Sequence, residues 1–374
     1  MALNKIKLGK YIKLYNEKCN IPDLNNEDIS GVNKYKEFFE PSPQVGNDTS
    51  KYKIVPPGYF ACNLMHVGRD VVLPIAYNHS DKNKIVSPAY QVFKFIENEE
   101  VLSEYFFLYL KSSEKDRYFW FNTDSSVRDG MSWDDFINVD IELPPKHIQK
   151  KYVNIYNAMV KNQKSYENGL DDLKLACDIY IENLKRKMPS EPIGQYIKRQ
   201  DLRNGPNGTR NVMGVSTTKE FREPTSKVNR NELSNYKVVK PRQISFVQTT
   251  HNEKVFAYAL NNTEQNIVVS TVNEVFSVNE KKLLPEYLAM FFNRTEFDRY
   301  VRFHSWGSAR ETFTWDDLIK VKIPIADIVI QKSISDIYNV YKIRKNINEK
   351  MKEQIRIICP ILIKGALDEG RKVA

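Results

Sequence analysis

The sequence repeats itself once, at long period, and this bounds the fold more tightly than any motif. Leu8-Gly9-Lys10-Tyr11-Ile12 returns as Ile193-Gly194-Gln195-Tyr196-Ile197, and Gly31-Val32 returns as Gly214-Val215. Lys36-Glu37-Phe38, followed by Glu40-Pro41, returns as Lys219-Glu220-Phe221, followed by Glu223-Pro224. Tyr52-Lys53-Ile54-Val55 returns as Tyr236-Lys237-Val238-Val239, and Asp116-Arg117-Tyr118 as Asp298-Arg299-Tyr300. Trp133-Asp134-Asp135 returns as Trp315-Asp316-Asp317, Ile148-Gln149-Lys150 as Ile330-Gln331-Lys332, and Ile155-Tyr156-Asn157 as Ile337-Tyr338-Asn339. Chance supplies a pair or two of this kind, but not eight in one order at an offset held between 182 and 185 residues. The 374 residues are therefore two copies of one unit, near 1–189 and 190–374. A period this long marks duplicated domains rather than a solenoid.

Each copy has two parts. The first mixes short apolar runs with turn residues, as in Tyr90-Gln91-Val92-Phe93-Lys94-Phe95 and Asn266-Ile267-Val268-Val269-Ser270, which read as strands. One amphipathic helix is expected in each, around Ser103–Ser112 and Pro285–Asn293. The second part reads as a long helix. Between Pro144-Pro145 and Met188-Pro189 no proline intervenes, and Ile148, Tyr152, Ile155, Met159, Tyr166, Leu173 and Tyr180 follow a coiled-coil spacing with breaks at Asn162 and Gly169. At 1.5 Å per residue such a helix spans roughly 60 Å. The second copy starts from an expected N-cap, Asp327, and runs through Ile330, Ile334, Ile337, Tyr341, Ile347, Met351, Ile355, Ile358 and Leu362. Pro360 is expected to kink or end its regular part.

The fold class is thus α+β: two repeated mixed α/β globular domains, each followed by a long helix. The expected parts are 1–145, a helix at 146–189, a second globular domain at 190–327, and a C-terminal helix at 328–374. The two narrow seams can bury each other as an antiparallel coiled coil with pseudo-two-fold symmetry, or each can pack into its own domain. Tyr152, Tyr156, Tyr338 and Tyr341 are assigned to helix packing, while Lys342, Arg344 and Lys345 lie on a charged outer face that is solvated first of all, or else meets DNA or a partner.

The bulk numbers narrow the class of function. A net charge of +9 suits a partner rich in phosphate, and equally a basic soluble protein. Cys19, Cys62, Cys177 and Cys359 form no Cys-x-x-Cys pair, so zinc ribbons and redox motifs are unsupported. Few cysteines, and a charged Met1–Lys10 stretch without an apolar core, lead to an expected cytoplasmic location. No membrane span is expected, because no apolar run approaches the ~20 residues it needs. Glycine-rich phosphate loops and the Asn-Pro-Pro-aromatic motif are absent, and His66, His79, His147, His251 and His304 are scattered. No catalytic residue, cofactor or metal is expected.

Two alike frameworks with unlike loops suit a target with two unlike halves. At this point the residues carry a resemblance over nearly the whole chain. The features are the Leu8–Ile12 opening, the Tyr52–Gly58 run, Val86-Ser87-Pro88-Ala89-Tyr90-Gln91-Val92-Phe93, an aromatic helix, Ser126–Trp133, Leu143-Pro144-Pro145 and then Gln149. The second copy supplies Gly307-Ser308, Ile323-Pro324 and Gln331. Their order resembles that of type I restriction–modification specificity subunits. The chain departs from that pattern at Ile148 and Ile330, where the family often has Glu, and at Val269-Ser270-Thr271, which stands for Val-Ser-Pro. The resemblance implies two target-recognition domains that read a bipartite double-stranded DNA site with an unread spacer. It implies two methyltransferase (modification) subunits as partners, and two restriction (translocase-nuclease) subunits in the full complex. Methylation and cleavage would belong to those partners.

Candidate DNA contacts sit at like positions in the two copies. Ser126-Val127-Arg128 matches Ser308-Ala309-Arg310, each just before the Trp-Asp-Asp element. An arginine there can fork onto guanine, grip a phosphate, or pair with the nearby aspartates. Asn63, His66 and Arg69 correspond to Gln248, Thr249, His251 and Lys254 in loops that otherwise differ. Asn and Gln can pair bidentately with adenine, while ordinary loop variation explains the differences equally well. Arg117 and Arg299 are assigned to structure, and Trp133 and Trp315 to the core. A divergent DNA methyltransferase or nuclease, and a coiled-coil scaffold that binds no DNA, remain the alternative readings.

Overall fold

The computed structural model describes every residue except 1, 2, 4, 41–44, 68–70, 99, 124–129, 226, 230, 231, 250–254, 308–310 and 374. The chain gathers into two compact units, one made of Met1–Ser165 with Asn348–Ala374, the other of Tyr166–Ile347. Each unit therefore takes a globular part together with helical segments from two separate stretches of chain.

In the first unit, strands Ile12–Leu14, Gln91–Phe95, Phe60–Cys62 and Ile75–Tyr77 form an antiparallel sheet in that spatial order. Phe60 lies opposite Phe93 in register, and the two rings stack 5.0 Å apart. Short ribbons complete the β structure: Lys5–Lys7 with Asp140–Glu142, Gly31–Val32 with Phe38–Phe39, and Lys53–Val55 with Lys84–Val86. Helix α1 (Ser103–Leu110) is apolar all round, and Tyr105 through Leu110 are all buried. Such a helix belongs inside a core rather than on its surface. Two more helices follow, α2 (Ser113–Phe121) and α3 (Trp133–Ile137), and then the long α4 (Lys146–Glu167). The expected helix near 103–112 is thus followed by a second one. Lys111 and Ser112 separate α1 from α2, and the chain turns there.

The second unit repeats the plan. It opens with helix α5 (Leu170–Lys187), and its sheet orders Ile197–Gln200, Asn273–Val278, Ile244–Val247 and Tyr258–Leu260. Helices α6 (Pro285–Phe292), α7 (Thr295–Phe303) and α8 (Trp315–Leu318) match α1 to α3. Helix α9 (Ile328–Val373) ends the chain. A glycine at the start of each copy is fixed by close approach. A Cβ on Gly9 or Gly194 would stand 2.9 Å from the Cβ of Ile137 or Ile319, so the opening turn can lie on α3 or α8 only without a side chain.

Three features of the helical stretches bear on the expectations. Of the two gaps in the seam spacing, the helix runs through the one at Asn162 and is interrupted at Gly169, whose φ of +77° is a left-handed conformation that glycine adopts without strain. Pro360 does not end α9, which continues to Val373. The supposedly solvated Lys342 and Arg344 have partners: Lys342 pairs with Glu220 at 3.5 Å, and Arg344 donates to the Asn168 carbonyl over the Tyr166 ring.

Within each unit, helical segments contact one another and the globular part. In the first unit, Ile148 and Val153 of α4 and Cys359, Leu362, Ile363 and Ala366 of α9 share one cluster with Phe60 and Phe93. The helices there run in opposite senses, with Lys151 paired to Glu369 at 2.8 Å and Gln163 donating to Asn348 at 2.6 Å. In the second unit, Cys177 and Ile181 of α5 meet Ile334 and Tyr338 of α9 in a cluster that contains Phe246 and Phe276. Each helical segment thus touches a helix and a sheet-based core at once.

One glutamine per copy locks helix to core. Gln149 is fully buried; its Oε1 accepts from Leu102 N–H and its Nε2 donates to the Glu100 and Pro144 carbonyls. Gln331 does the same with Leu284 N–H and the Lys282 and Ala326 carbonyls. Neither α1 nor α6 has a side-chain cap of its own residue, so the glutamine from the distant helix supplies the acceptor beside its first turn. Replacing Gln331 by Met fills similar volume but leaves these buried backbone groups unpaired, at about 1–3 kcal/mol for each such group. Urea unfolding of Gln331→Met is expected to show a marked loss, and Lys332→Met at the exposed neighbouring position little change. Equal midpoints for Gln331→Met and wild type would remove the glutamine from this role.

Candidate nucleic-acid interface

The candidate loops are held by a buried ion pair that occurs once in each unit. Lys36 occupies the turn between strands Gly31–Val32 and Phe38–Phe39 and has a φ of +64°. Lys219 occupies the equivalent turn with a φ of +65°. A residue with a Cβ in this region carries strain of order 1–2 kcal/mol, which glycine would avoid. The lysines remain because of what their side chains reach. Lys36 Nζ lies 2.6 Å from the Asp116 carboxylate on α2 and donates to the Leu73 carbonyl. Lys219 Nζ lies 2.8 Å from Asp298 on α7 and donates to the Phe292 carbonyl. Both ammonium groups are nearly inaccessible to solvent. Burial pulls each lysine below its ordinary pKa, and the facing aspartate works against that shift.

The aspartates also hold main chain. Asp116 accepts from Leu73 N–H at 3.0 Å, and Asp298 accepts from Phe256 N–H at 2.9 Å. Leu73 and Phe256 stand just after the loop segments that carry Arg69 in one copy and His251 and Lys254 in the other. The far ends of these loops are therefore fixed by the same carboxylates.

Their near ends meet the other candidate loop. In the first unit Met131 N–H donates to the Leu64 carbonyl at 2.9 Å, joining the stem that follows 124–129 to the stem that precedes 68–70. Gly130 lies close against Leu64 and Met65, with space for a Cβ at only 3.4 Å from their backbone. In the second unit Phe313 N–H donates to the Gln248 carbonyl, Thr249 bridges Thr312, and Thr312 exchanges hydrogen bonds with Trp306. The segments singled out in the sequence thus share their stems within each unit, although they lie some sixty residues apart in the chain.

The individual candidates fare differently. Arg69, Ser126, Arg128, His251, Lys254, Ser308 and Arg310 lie outside the described residues. His66 closes a short 3-10 turn, Leu64–His66, at the loop stem. Asn63 is buried, and its Oδ1 accepts from Met65 N–H at 3.2 Å, so its amide oxygen serves that turn. Thr249 is half-buried in its bridge. Gln248 is half-buried and donates to Glu274 at 2.7 Å. Glu274 in turn takes a two-pronged contact from Arg199 at 2.8 and 2.6 Å and faces Lys237 at 3.5 Å. Burial pushes the Glu274 carboxyl up, but the Arg199 hydrogen bond and the nearby cations prevail and hold it below its usual value. At the Glu274 position the first copy has Gln91, so this charged cluster belongs to the second copy alone.

Trp133 and Trp315 pack on Phe93 at 5.7 Å and Phe276 at 5.8 Å, on the core side of the unit. The adjoining Asp135 and Asp317 bond to the capping hydroxyls Ser132 and Thr314. Sequence reasoning did not find the lysine–aspartate pair, although both partners stood in the repeated Lys-Glu-Phe and Asp-Arg-Tyr strings. It also assigned Arg117 and Arg299 to structure, yet both are exposed with no carboxylate partner among the described residues. Among the described residues no cluster of His, Cys, Asp and Glu could hold a metal ion, and no helix is long and apolar enough to cross a membrane.

No family model matches the sequence, and no curated protein matches it. Solved structures do. The type I restriction–modification system S subunit from M. genitalium superposes with a TM-score of 0.63 at 11% identity, over 98% of this chain and 96% of that one. The HsdS subunit from Thermoanaerobacter tengcongensis matches at 13% identity over 98% of this chain and 96% of that one, with a TM-score of 0.40. The first of these likenesses, over nearly the full length of both chains, establishes that this chain has the fold of the M. genitalium S subunit.

Proposed function

We propose that this chain is the specificity subunit of a type I restriction–modification system, a non-catalytic protein that reads double-stranded DNA. Each unit reads one half of a bipartite site, with an unread spacer between the halves. Two methyltransferase subunits, and two restriction subunits in the larger complex, are its partners. The single observation that best supports this reading is the pairing of sameness and difference. Both units tether a candidate loop through the same buried lysine–aspartate pair, and those loops differ in sequence between the copies. Two alike holders with unlike contents suit two unlike half-sites. The net charge of +9 supplies the surplus of cations that phosphate binding requires.

Within this reading Arg128 and Arg310 are base-contact residues in the loops before α3 and α8, and Arg69, His66, His251, Lys254, Ser126 and Ser308 are further DNA contacts. Gln248 and Thr249 sit at the stem of one loop, and Asn63 at the stem of its counterpart. The partners' roles and a cytoplasmic location follow from the same proposal.

The test is to co-express the chain with the methyltransferase encoded beside it and map methylated adenines across host DNA by single-molecule sequencing. The expected outcome is a two-part motif with a fixed gap that disappears when this chain is deleted. A continuous motif, or methylation indifferent to the deletion, would refute the proposal. On DNA carrying the mapped site, Arg128→Ala and Arg310→Ala are each expected to weaken binding by about 1–3 kcal/mol and to relax specificity in one half-site only. Unchanged affinity and specificity in both variants would return these arginines to a salt-bridge role.

A further inference from the structure

Helices α2 and α7 carry a repeated surface feature that the packing of the fold does not explain. Asp116-Arg117-Tyr118 leads to Phe121, and Asp298-Arg299-Tyr300 leads to Phe303, with the same spacing. The inner faces of both helices are accounted for. Asp116 and Asp298 hold the loop stems, and Phe119 and Val301 are buried. The outer faces are not. Phe121 is 86% exposed and Phe303 81%, the highest exposures among the large apolar residues described. Arginine and phenylalanine stand four residues apart, which places them on one face of the helix a single turn apart. An exposed phenylalanine retained with its arginine at the same position of both copies needs a reason other than burial.

Position and charge point to the occupant. Each phenylalanine ends its helix, and the chain passes within a few residues into the loop that carries Ser126 and Arg128, or Ser308 and Arg310. The same helix pins the second candidate loop from its other side through its aspartate. The Arg–Phe face therefore lies on the helix that tethers the loop stem at Leu73 or Phe256. Arg117 in one copy and Arg299 and Arg302 in the other are exposed on these helices, with Glu114 and Glu296 the exposed acids one turn or less before Arg117 and Arg299. A cation one turn from a protruding aromatic matches a phosphate beside a base step.

Resting on the DNA-reading function proposed above, we propose that Phe121 and Phe303 are wedges. Each enters a base step next to the half-site read by its own unit, while Arg117 or Arg299 sits on the flanking phosphate. Apolar side chains inserted in this way unstack the step and bend the duplex, and stacking on the exposed base face offsets the cost of opening it.

The experiment uses the full chain and a synthetic duplex carrying the mapped bipartite site, with 2-aminopurine placed at successive steps of each half. Wild-type protein is expected to raise fluorescence at one step per half-site. Phe121→Ala should abolish the rise in one half only and Phe303→Ala in the other, each with a roughly 10-fold loss of affinity. Both side chains are exposed, so the alanine variants should fold; Phe121→Trp and Phe303→Trp should keep the signal. Arg117→Ala and Arg299→Ala should each lower the salt dependence of binding by about one phosphate contact. If wild type binds the duplex and the alanine variants match it in affinity and fluorescence, the wedge is overturned while the DNA-reading function stands. If the variants keep DNA affinity but no longer co-purify with the methyltransferase, the face is a protein dock and the wedge is likewise overturned. A wild-type chain that binds no such duplex overturns both proposals.

Discussion

A lysine ammonium removed from water is unstable unless its protons find acceptors, and each unit is arranged around one that does. Lys36 and Lys219 each meet an aspartate and a backbone carbonyl, and each holds its own backbone in a left-handed turn to do so. Removing one partner of such a pair leaves a buried charge unmatched, which is far more damaging than never having built the pair. The consequence is spatial. A hairpin, a helix and the stem of a loop, which lie far apart in sequence, must come together at one point before the lysine is satisfied. The carboxylate then has capacity left for the loop's own N–H, so the site that settles the charge also sets the loop.

Two buried asparagines, one in each unit, are satisfied in the same way. Asn78 donates to the Val55 and Lys82 carbonyls and accepts from Ser80, while Asn261 donates to Val239 and Gln265 and accepts from Thr263. The glutamines at the feet of α4 and α9 complete the set. Such fully bonded polar contacts confer orientation, which apolar packing alone supplies weakly. The two units share them, whereas the Arg199–Glu274–Gln248 cluster exists in one only. What is common builds the frame, and what is particular lies at the rim where the loops begin.

Much of this was legible in the sequence because the repeat doubles every signal. Strands Gln91–Phe95 and Ile267–Val269 fall where alternating apolar residues placed them, and α1 and α6 lie within a residue or two of their expected bounds. Periodicity is local, and it failed where long-range contact decides. Lys36 and Asp116 are eighty residues apart, so nothing near either one announces the pair. Pro360 stays within a helix because surrounding contacts, among them buried Cys359 and Leu362, outweigh its missing N–H. Lys342 and Arg344 looked like solvent-facing charges, yet partners from distant stretches of the unit engage them. Of the candidate site, the sequence named both loop segments in each copy as candidates, and the structure describes their stems. It did not reveal that their stems are bonded together, because main-chain hydrogen bonds leave no mark on residue type.

That last property has an evolutionary consequence. The stems are gripped through the N–H of Leu73 and Phe256 and the carbonyls of Leu64 and Gln248, groups that every residue but proline can offer. The main-chain grip itself therefore sets no side-chain requirement, although Val67, which lies between the stems of the first unit, is buried in the core. On the function proposed above, residues of the loops that do not enter the core can change without a compensating change in the frame that holds their stems.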